Sequence, residues 1–208
     1  GLYSLGAKIA AVIPFLFTEP IKKAFSPYLF DLVDNPKECK MLLVKFLKNF
    51  LIGLSILALS ISLFSRELIM LMADQAFHGS HNVIFILSIS YIFLGASGII
   101  VLGIHITKKT WIITIIFPVS AVINVLLNIW LIPIYGRMGA ATATLISVII
   151  INLLYLYSLK RVYPVNFKYF EFIKILVLVV IFNYFGSLVH YGILLSIVLK
   201  AGILISFI

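Results

Sequence analysis

Long apolar runs separated by short polar breaks fill the chain, falling at about residues 1–18, 46–64, 83–106, 111–133, 139–159, 172–189 and 191–208. A helix that crosses a bilayer needs roughly 20 apolar residues. The pattern therefore predicts an all-α, polytopic transmembrane helix bundle of about seven spans. A single helix over 172–208 would be about 55 Å long against a bilayer core of about 30 Å, so a break is expected near Gly186 to Gly192.

The break between the fourth and fifth runs is the most informative one. It reads Leu131-Ile132-Pro133-Ile134-Tyr135-Gly136-Arg137-Met138-Gly139-Ala140-Ala141-Thr142-Ala143-Thr144. Pro133 lacks an amide proton and disfavours helical geometry at Ile132, so the fourth helix is expected to end at Ile132, with Gly136 and Gly139 allowing the reversal. Gly139, Ala143 and Ser147 then recur every four residues. That spacing puts small residues on one helix face, where a neighbouring backbone can approach closely in lipid.

Composition closes off a water-soluble fold. The chain of 208 residues is 63% hydrophobic and only 11% charged, with a mean hydropathy of +1.20, more apolar surface than a soluble core of this size can hide. The sixteen Lys and Arg residues test the division into spans. Twelve fall in alternate loops: Lys22, Lys23, Lys37, Lys40, Lys45 and Lys48, then Lys108 and Lys109, then Lys160, Arg161, Lys168 and Lys174. The opposite loops hold Arg66 and Arg137, and Lys8 and Lys200 fall inside spans. By the positive-inside bias the lysine-rich loops are cytoplasmic, and the net charge of +9 is a topology signal, not a nucleic-acid footprint. Cys39, the sole cysteine, falls in a predicted cytoplasmic loop and has no disulfide partner in the chain. Gly1 opens inside one apolar run and Ile208 closes inside another, with no basic leader or cleavage site. The expectation is a fragment, one lobe of a longer protein.

An Asn-bearing helix, a Leu-Ile-Pro-x-Tyr-Gly turn and a Gly-Ala-Ala-x-Ala-Thr start, together spanning Asn124 to Thr144, resemble the C-terminal half of bacterial polysaccharide biosynthesis proteins. These are the lipid-linked oligosaccharide (O-antigen) flippases of the multidrug/oligosaccharidyl-lipid/polysaccharide exporter superfamily. Gly1-Leu2-Tyr3-Ser4-Leu5-Gly6-Ala7-Lys8-Ile9 is similar to that family's Gly-x-Tyr-x-x-Ala-x-Lys-Ile helix, with Gly6 where Ala is usual. Gly103-Ile104 with Lys108-Lys109-Thr110 is similar to its basic turn, and the likeness covers roughly residues 1–165. The resemblance implies an exporter of twelve to fourteen spans in two lobes. It also implies alternating access, a bacterial or archaeal cytoplasmic membrane, and an undecaprenyl-pyrophosphate-linked oligosaccharide as cargo. The implied partners are the bilayer, that substrate and the missing N-terminal lobe, with no cofactor and no enzymatic role. Under it, Lys8 would meet the pyrophosphate, Asn124 and Asn128 would line the cleft, and Pro133, Tyr135, Gly136 and Gly139 would set lobe geometry.

The residues themselves leave alternatives open. An intramembrane cation such as Lys8 costs roughly 2.5–3.5 kcal/mol on insertion scales and needs water or a partner. It either lines an aqueous path, with Pro14 kinking the helix beyond it, or is a structural lysine that snorkels to a boundary or pairs with a carboxylate in the missing half. Ser120, Asn124 and Asn128, spaced by four, either face sugar hydroxyls or tie two helices together. Ser88, Tyr91, Gly95 and Gly98 read as a packing face, and Lys200 as a snorkelling or neighbour-paired residue. The long polar connection from Pro20 to Lys48 reads as a basic amphipathic stretch or plain topology lysines, with Asp34 or Asn35 capping a helix that begins at Pro36. Asp74, His78 and His81 have weak zinc spacing, and a solvated loop explains them as well. His105 and His190 sit at boundaries. All seven acidic residues, Glu19, Asp31, Asp34, Glu38, Glu67, Asp74 and Glu171, fall in loops or at span ends. No nucleophile elbow, zinc-protease motif or phosphate loop occurs. The rivals are a multidrug and toxin extrusion exporter, which would favour an anionic cavity, and a membrane-embedded polysaccharide polymerase or ligase, which would carry a large exterior loop.

Overall fold

The structure is a computed structural model that describes residues 2–72, 81–167, 169–187, 199–200, 202 and 204. Every element in the described residues is helical: α1 (Leu2–Ala10), a π-helical turn (Pro14–Thr18), α2 (Glu19–Phe30), α3 (Pro36–Leu63), α4 (Ser65–Met72), α5 (His81–Ile106), α6 (Trp111–Tyr135), α7 (Arg137–Val162) and α8 (Tyr169–Ser187). Five helical stretches among the described residues have the length and apolarity to cross a membrane: Tyr3–Phe30, Pro36–Leu63, Asn82–Ile106, Trp111–Tyr135 and Arg137–Val162. A shorter apolar helix covers Phe172–Gly186. The seventh predicted span, the break beyond Gly186, and Asp74, His78, Lys168 and His190 lie outside the described residues, as does most of 188–208.

The first two helices reach further than the apolar runs predict. The polar connection from Pro20 to Lys48 is mostly helix, with α2 extending to Phe30 and α3 starting at Pro36. Proline explains both starts, since at the first turn its missing N–H breaks no helical bond. Of the two expected caps, Asn35 stands at the N-cap of α3 and makes no side-chain capping bond. Further up, Pro14 cannot donate to the preceding turn, and the helix widens there: the Glu19 amide bonds to the Pro14 carbonyl, closing a π turn. Cys39 lies inside α3, fully buried, with its Sγ 3.8 Å from the Leu29 carbonyl oxygen.

Helix α5 runs through the middle of the bundle, touching α1, α3 and α7, while α6 packs on α7 and α8 packs on α3. Small residues let α5 take that place. A Cβ at Gly95 would collide with the Leu54 side chain, and one at Gly103 would be wedged between Leu43 and Leu159. Leu43, Leu54, Ile99, Ile100 and Leu159 form the buried seam of α3, α5 and α7, and Phe25 of α2 stacks flat on Phe46 of α3 with centroids 3.4 Å apart. Ser88 and Gly95 are buried and Tyr91 and Gly98 half-buried, so the predicted packing face of α5 does pack.

Contacts fix which ends lie together. The Lys40 Nζ sits 4.7 Å over the Tyr163 ring, and the Tyr163 hydroxyl donates to the Pro36 carbonyl at 3.4 Å. The start of α3 and the end of α7 therefore share one end of the bundle. Gly103, between Leu43 and Leu159, brings the end of α5 there too, and the turn from Thr107 to Thr110 starts α6 at the same level. Lys108 makes that turn with a φ of 59°, the left-handed conformation usual just past a helix C-terminus. Lys37, Lys40, Lys45, Lys48, Lys108, Lys109, Lys160 and Arg161 consequently mark a single end.

The outer face of α6 is apolar and uncovered. Val122, Leu126, Ile129 and Trp130 are each more than half exposed. In water such a face would be an aggregation surface, whereas lipid solvates it without penalty.

Candidate functional site

Four places carry polar groups that a lipid-embedded bundle would otherwise exclude. The first is Lys8. It is exposed on α1, beside exposed Ser4, on the side away from the cluster in which Ala10 packs on Val83, Leu87 and Ala141. Those partners belong to the first two turns of α5 and α7. Lys8 thus stands toward the end of the bundle opposite the lysine belt, not at mid-depth, and its side chain is presented outward.

The second place is the α6–α7 hairpin. Ser120 donates to the Ser147 carbonyl at 3.3 Å, and the Asn124 amide donates to the Ser147 hydroxyl at 2.8 Å. The Asn128 amide turns back along its own helix to the Asn124 backbone and side-chain oxygens, at 2.8 and 3.0 Å. Asn124 is therefore an interhelical tie and Asn128 its support; both are half-buried. Buried Asn152 does the same between α7 and α5, its amide reaching the Phe93 carbonyl at 2.8 Å.

The turn that closes this hairpin differs from expectation in one respect. Helix α6 does not end at Ile132 but carries Pro133 within it and runs to Tyr135. The Gly136 amide bonds to the Ile132 carbonyl at 2.8 Å, which closes the last turn across the proline. Gly136 alone, at φ +56° and ψ −130°, makes the reversal, and α7 begins at Arg137. Gly139 lies directly against the backbone of Leu131, where any Cβ would strike the carbonyl. Pro133, Tyr135 and Gly136 are exposed at the turn, and Gly139 is buried beneath it.

The third place was not legible as a site in the sequence. Glu67, expected at a span end, is buried on α4, and Lys200 reaches it with Nζ–Oε1 of 2.6 Å. Both side chains are about 93% enclosed, at 7% and 6% exposure. The neighbouring polar groups are buried as well: the Ser65 hydroxyl donates to the Ser62 carbonyl at 2.7 Å, and the Asn183 amide donates to the Ser62 hydroxyl at 2.5 Å. This cluster joins α3, α4, α8 and the segment carrying Lys200.

The fourth is a slot of roughly 400 Å³ between α7 and α8, floored by α3 and α5, and almost wholly apolar. At its lysine-end mouth it meets a second recess of roughly 470 Å³ that Lys40, Lys45 and Lys48 line. At that same mouth, burial first, and then the hydrogen bond and charge of the Cys39 thiol, push the Tyr163 hydroxyl above its ordinary range. Among the described residues no group of three or more His, Cys, Asp or Glu side chains converges as a metal site.

These features define a helical bundle whose polar contacts tie helices together and whose outer faces are apolar. No protein-family model and no curated protein sequence matches the chain. Its fold is that of part of a solved transporter: it superposes on the lipid II flippase MurJ in an inward closed conformation with a TM-score of 0.77 and 19% identity. The match covers 99% of this chain and 45% of the flippase, so the chain spans about half the length of that protein.

Proposed function

We propose that this chain is one lobe of an alternating-access exporter that flips a lipid-linked anionic substrate across a cytoplasmic membrane, and is not an enzyme. The observation that carries the reading is the superposition of nearly the whole chain on half of a lipid flippase. A second lobe would supply the other wall of the cleft, and rocking of the two lobes would expose it to each side in turn. The family likeness around Asn124 to Thr144 favours an undecaprenyl-pyrophosphate-linked oligosaccharide as cargo, for surface polysaccharide or O-antigen assembly. The lysine-rich end is the cytoplasmic one in this proposal, by the charge bias of the loops.

Lys8 is the residue we assign to the pyrophosphate. It is exposed on its helix and stands toward the end opposite the lysine belt, so an anionic head group leaving that belt would meet Lys8 as it crosses. Asn124 is assigned to holding the cleft wall and not to touching sugar, because its amide is engaged by Ser147. Pro133, Tyr135, Gly136 and Gly139 keep the hairpin closed. The test is complementation of a flippase-deficient strain by the full-length parent, comparing wild type, Lys8→Ala and Lys8→Arg. Loss of surface glycan with lipid-linked sugar retained on the inner leaflet in Lys8→Ala, restored in Lys8→Arg, is the expected result. Normal surface glycan in Lys8→Ala at equal membrane abundance removes Lys8 from the mechanism, and a parent that never complements removes the cargo.

A further inference from the structure

Helices α7 and α8 leave a gap between them. Helix α8 rests on α3, and α7 on α5 and α6, which leaves a space between α7 and α8. Its floor is Leu47 and Leu51 of α3 with Ala96 and Ile100 of α5, all buried. Leu153 of α7 and Ile173 of α8 stand at its lips, 61% and 56% exposed. Phe172 meets Phe93 edge-on at 5.7 Å and closes one side. From Val44 to Leu51 on α3, and from Leu156 to Ile149 on α7, the slot spans eight residues, or about 10 Å along the helix axes.

The slot turns polar where it meets the recess. Val44 and Lys48 line both the slot and the recess at its mouth, where Lys40 and Lys45 add two further ammonium groups and Pro164, Val165 and Asn166 form the far wall. An apolar slot about a third as deep as a bilayer core, capped by cations at one end, is complementary to one molecule class: a lipid with a negative head group. We propose that the slot between α7 and α8 is a binding site for an anionic glycerophospholipid of the leaflet on the lysine side. Its phosphate sits in the recess of Lys40, Lys45 and Lys48, and one acyl chain lies between Leu153 and Ile173. The bound lipid fills a void that would otherwise leave Phe93, Leu156 and Leu176 without packing partners on one side. Nothing in this proposal depends on the exported cargo; it requires only that the bundle spans a bilayer.

The test reads contact between lipid and slot directly. The full-length parent, with every native tryptophan, Trp111 and Trp130 among them, replaced by Phe, carries one reporter, Leu156→Trp. It is reconstituted into phosphatidylcholine vesicles containing a fixed minor fraction of tail-brominated phosphatidylglycerol or tail-brominated phosphatidylcholine. Stronger quenching by the brominated phosphatidylglycerol is expected, by two-fold or more at low mole fraction, and Lys45→Gln with Lys48→Gln should abolish the preference. A Leu126→Trp reporter on the outer face of α6 should be quenched equally by both lipids. Equal quenching by both lipids at residue 156, or a head-group preference that is the same at residues 156 and 126, reduces the slot to ordinary boundary lipid and overturns the proposal. Failure of cargo transport in the complementation assay leaves this outcome unaffected.

Discussion

Replacing Gly139 by alanine should destabilise the bundle, although alanine is by far the better helix former. The reason is the distance between α6 and α7 at the hairpin turn. A Cβ on Gly139 would meet the Leu131 carbonyl oxygen and carbon well inside van der Waals contact, and the Ile132 nitrogen at 3.0 Å. None of these atoms belongs to a side chain that can swing away. To restore ordinary contact distances the two backbones must part by roughly 1 Å, which thins the packing along the whole hairpin. Overpacking of this kind costs about 1–3 kcal/mol, and a backbone obstacle places it at the upper end. Helix propensity returns about 1 kcal/mol, leaving a net loss of about 2 kcal/mol. For a chain of this size that is a fall in Tm of roughly 4–8 °C. Gly53 is the control: it lies inside α3 with nothing within 4 Å of a Cβ, so Gly53→Ala should hold or raise Tm by up to about 4 °C. Thermal unfolding of both variants in mild detergent, followed by the monodisperse fraction, measures the difference. A Gly139→Ala protein as stable as the Gly53→Ala protein would refute the close backbone approach.

Three further outcomes follow from contacts elsewhere. Asn124→Ala should cost about 0.6 kcal/mol and at most about 1.7 kcal/mol, the range for hydrogen bonds between helices in membranes; Asn128→Ala, whose amide bonds within its own helix, should weaken α6–α7 association less, and the two are ranked by unfolding in detergent. Glu67→Gln or Lys200→Met alone should destabilise by about 3–5 kcal/mol, since each strands a buried charge, while the double variant should recover much of that loss; additive losses would show that the pair does not interact. At Tyr163 the native state holds the phenol proton more tightly than the unfolded chain, so its contribution to stability is present below pH 10.0 and is lost as pH rises further. Tyr163→Phe should flatten the alkaline end of the stability profile relative to wild type, and an unchanged slope would refute the shift.

Much of the helical content was legible because membrane helices announce themselves by length and apolarity alone, as Asn82–Ile106 and Trp111–Tyr135 do. Ends were harder. Pro133 reads as a stop because its ring removes one bond, yet at an exposed terminus that bond is cheap to lose and Gly136 sets the true boundary. Within the polar stretch from Pro20 to Lys48 the helix start at Pro36 was legible, because proline is tolerated in a first turn, whereas the helix from Glu19 to Phe30 was not, because it is polar and carries Pro27 in its interior. The burial of Glu67 was hidden for a different reason: its partner, Lys200, is distant in sequence, and no local pattern predicts that two such charges meet.

Which side of each helix faces inward was the least legible property, and lipid is the cause. In water the buried face of a helix is the apolar one, so an apolar stripe identifies it. Here apolar residues surround α5, α7 and α8 almost evenly. Leu126, bare on α6, and Leu43, sealed within the core, are the same residue type, because the solvent on the outside is itself hydrocarbon. What discriminates the faces is the register of small and polar residues. Gly95 and Gly103 mark where α5 meets its neighbours, Gly139 and Ser147 where α7 meets α6, and Asn152 where α7 meets α5. Each either lets a backbone come close or supplies a hydrogen bond that lipid cannot. Substituting along these registers should therefore perturb the bundle, whereas exchanging Leu126 for another aliphatic residue should not.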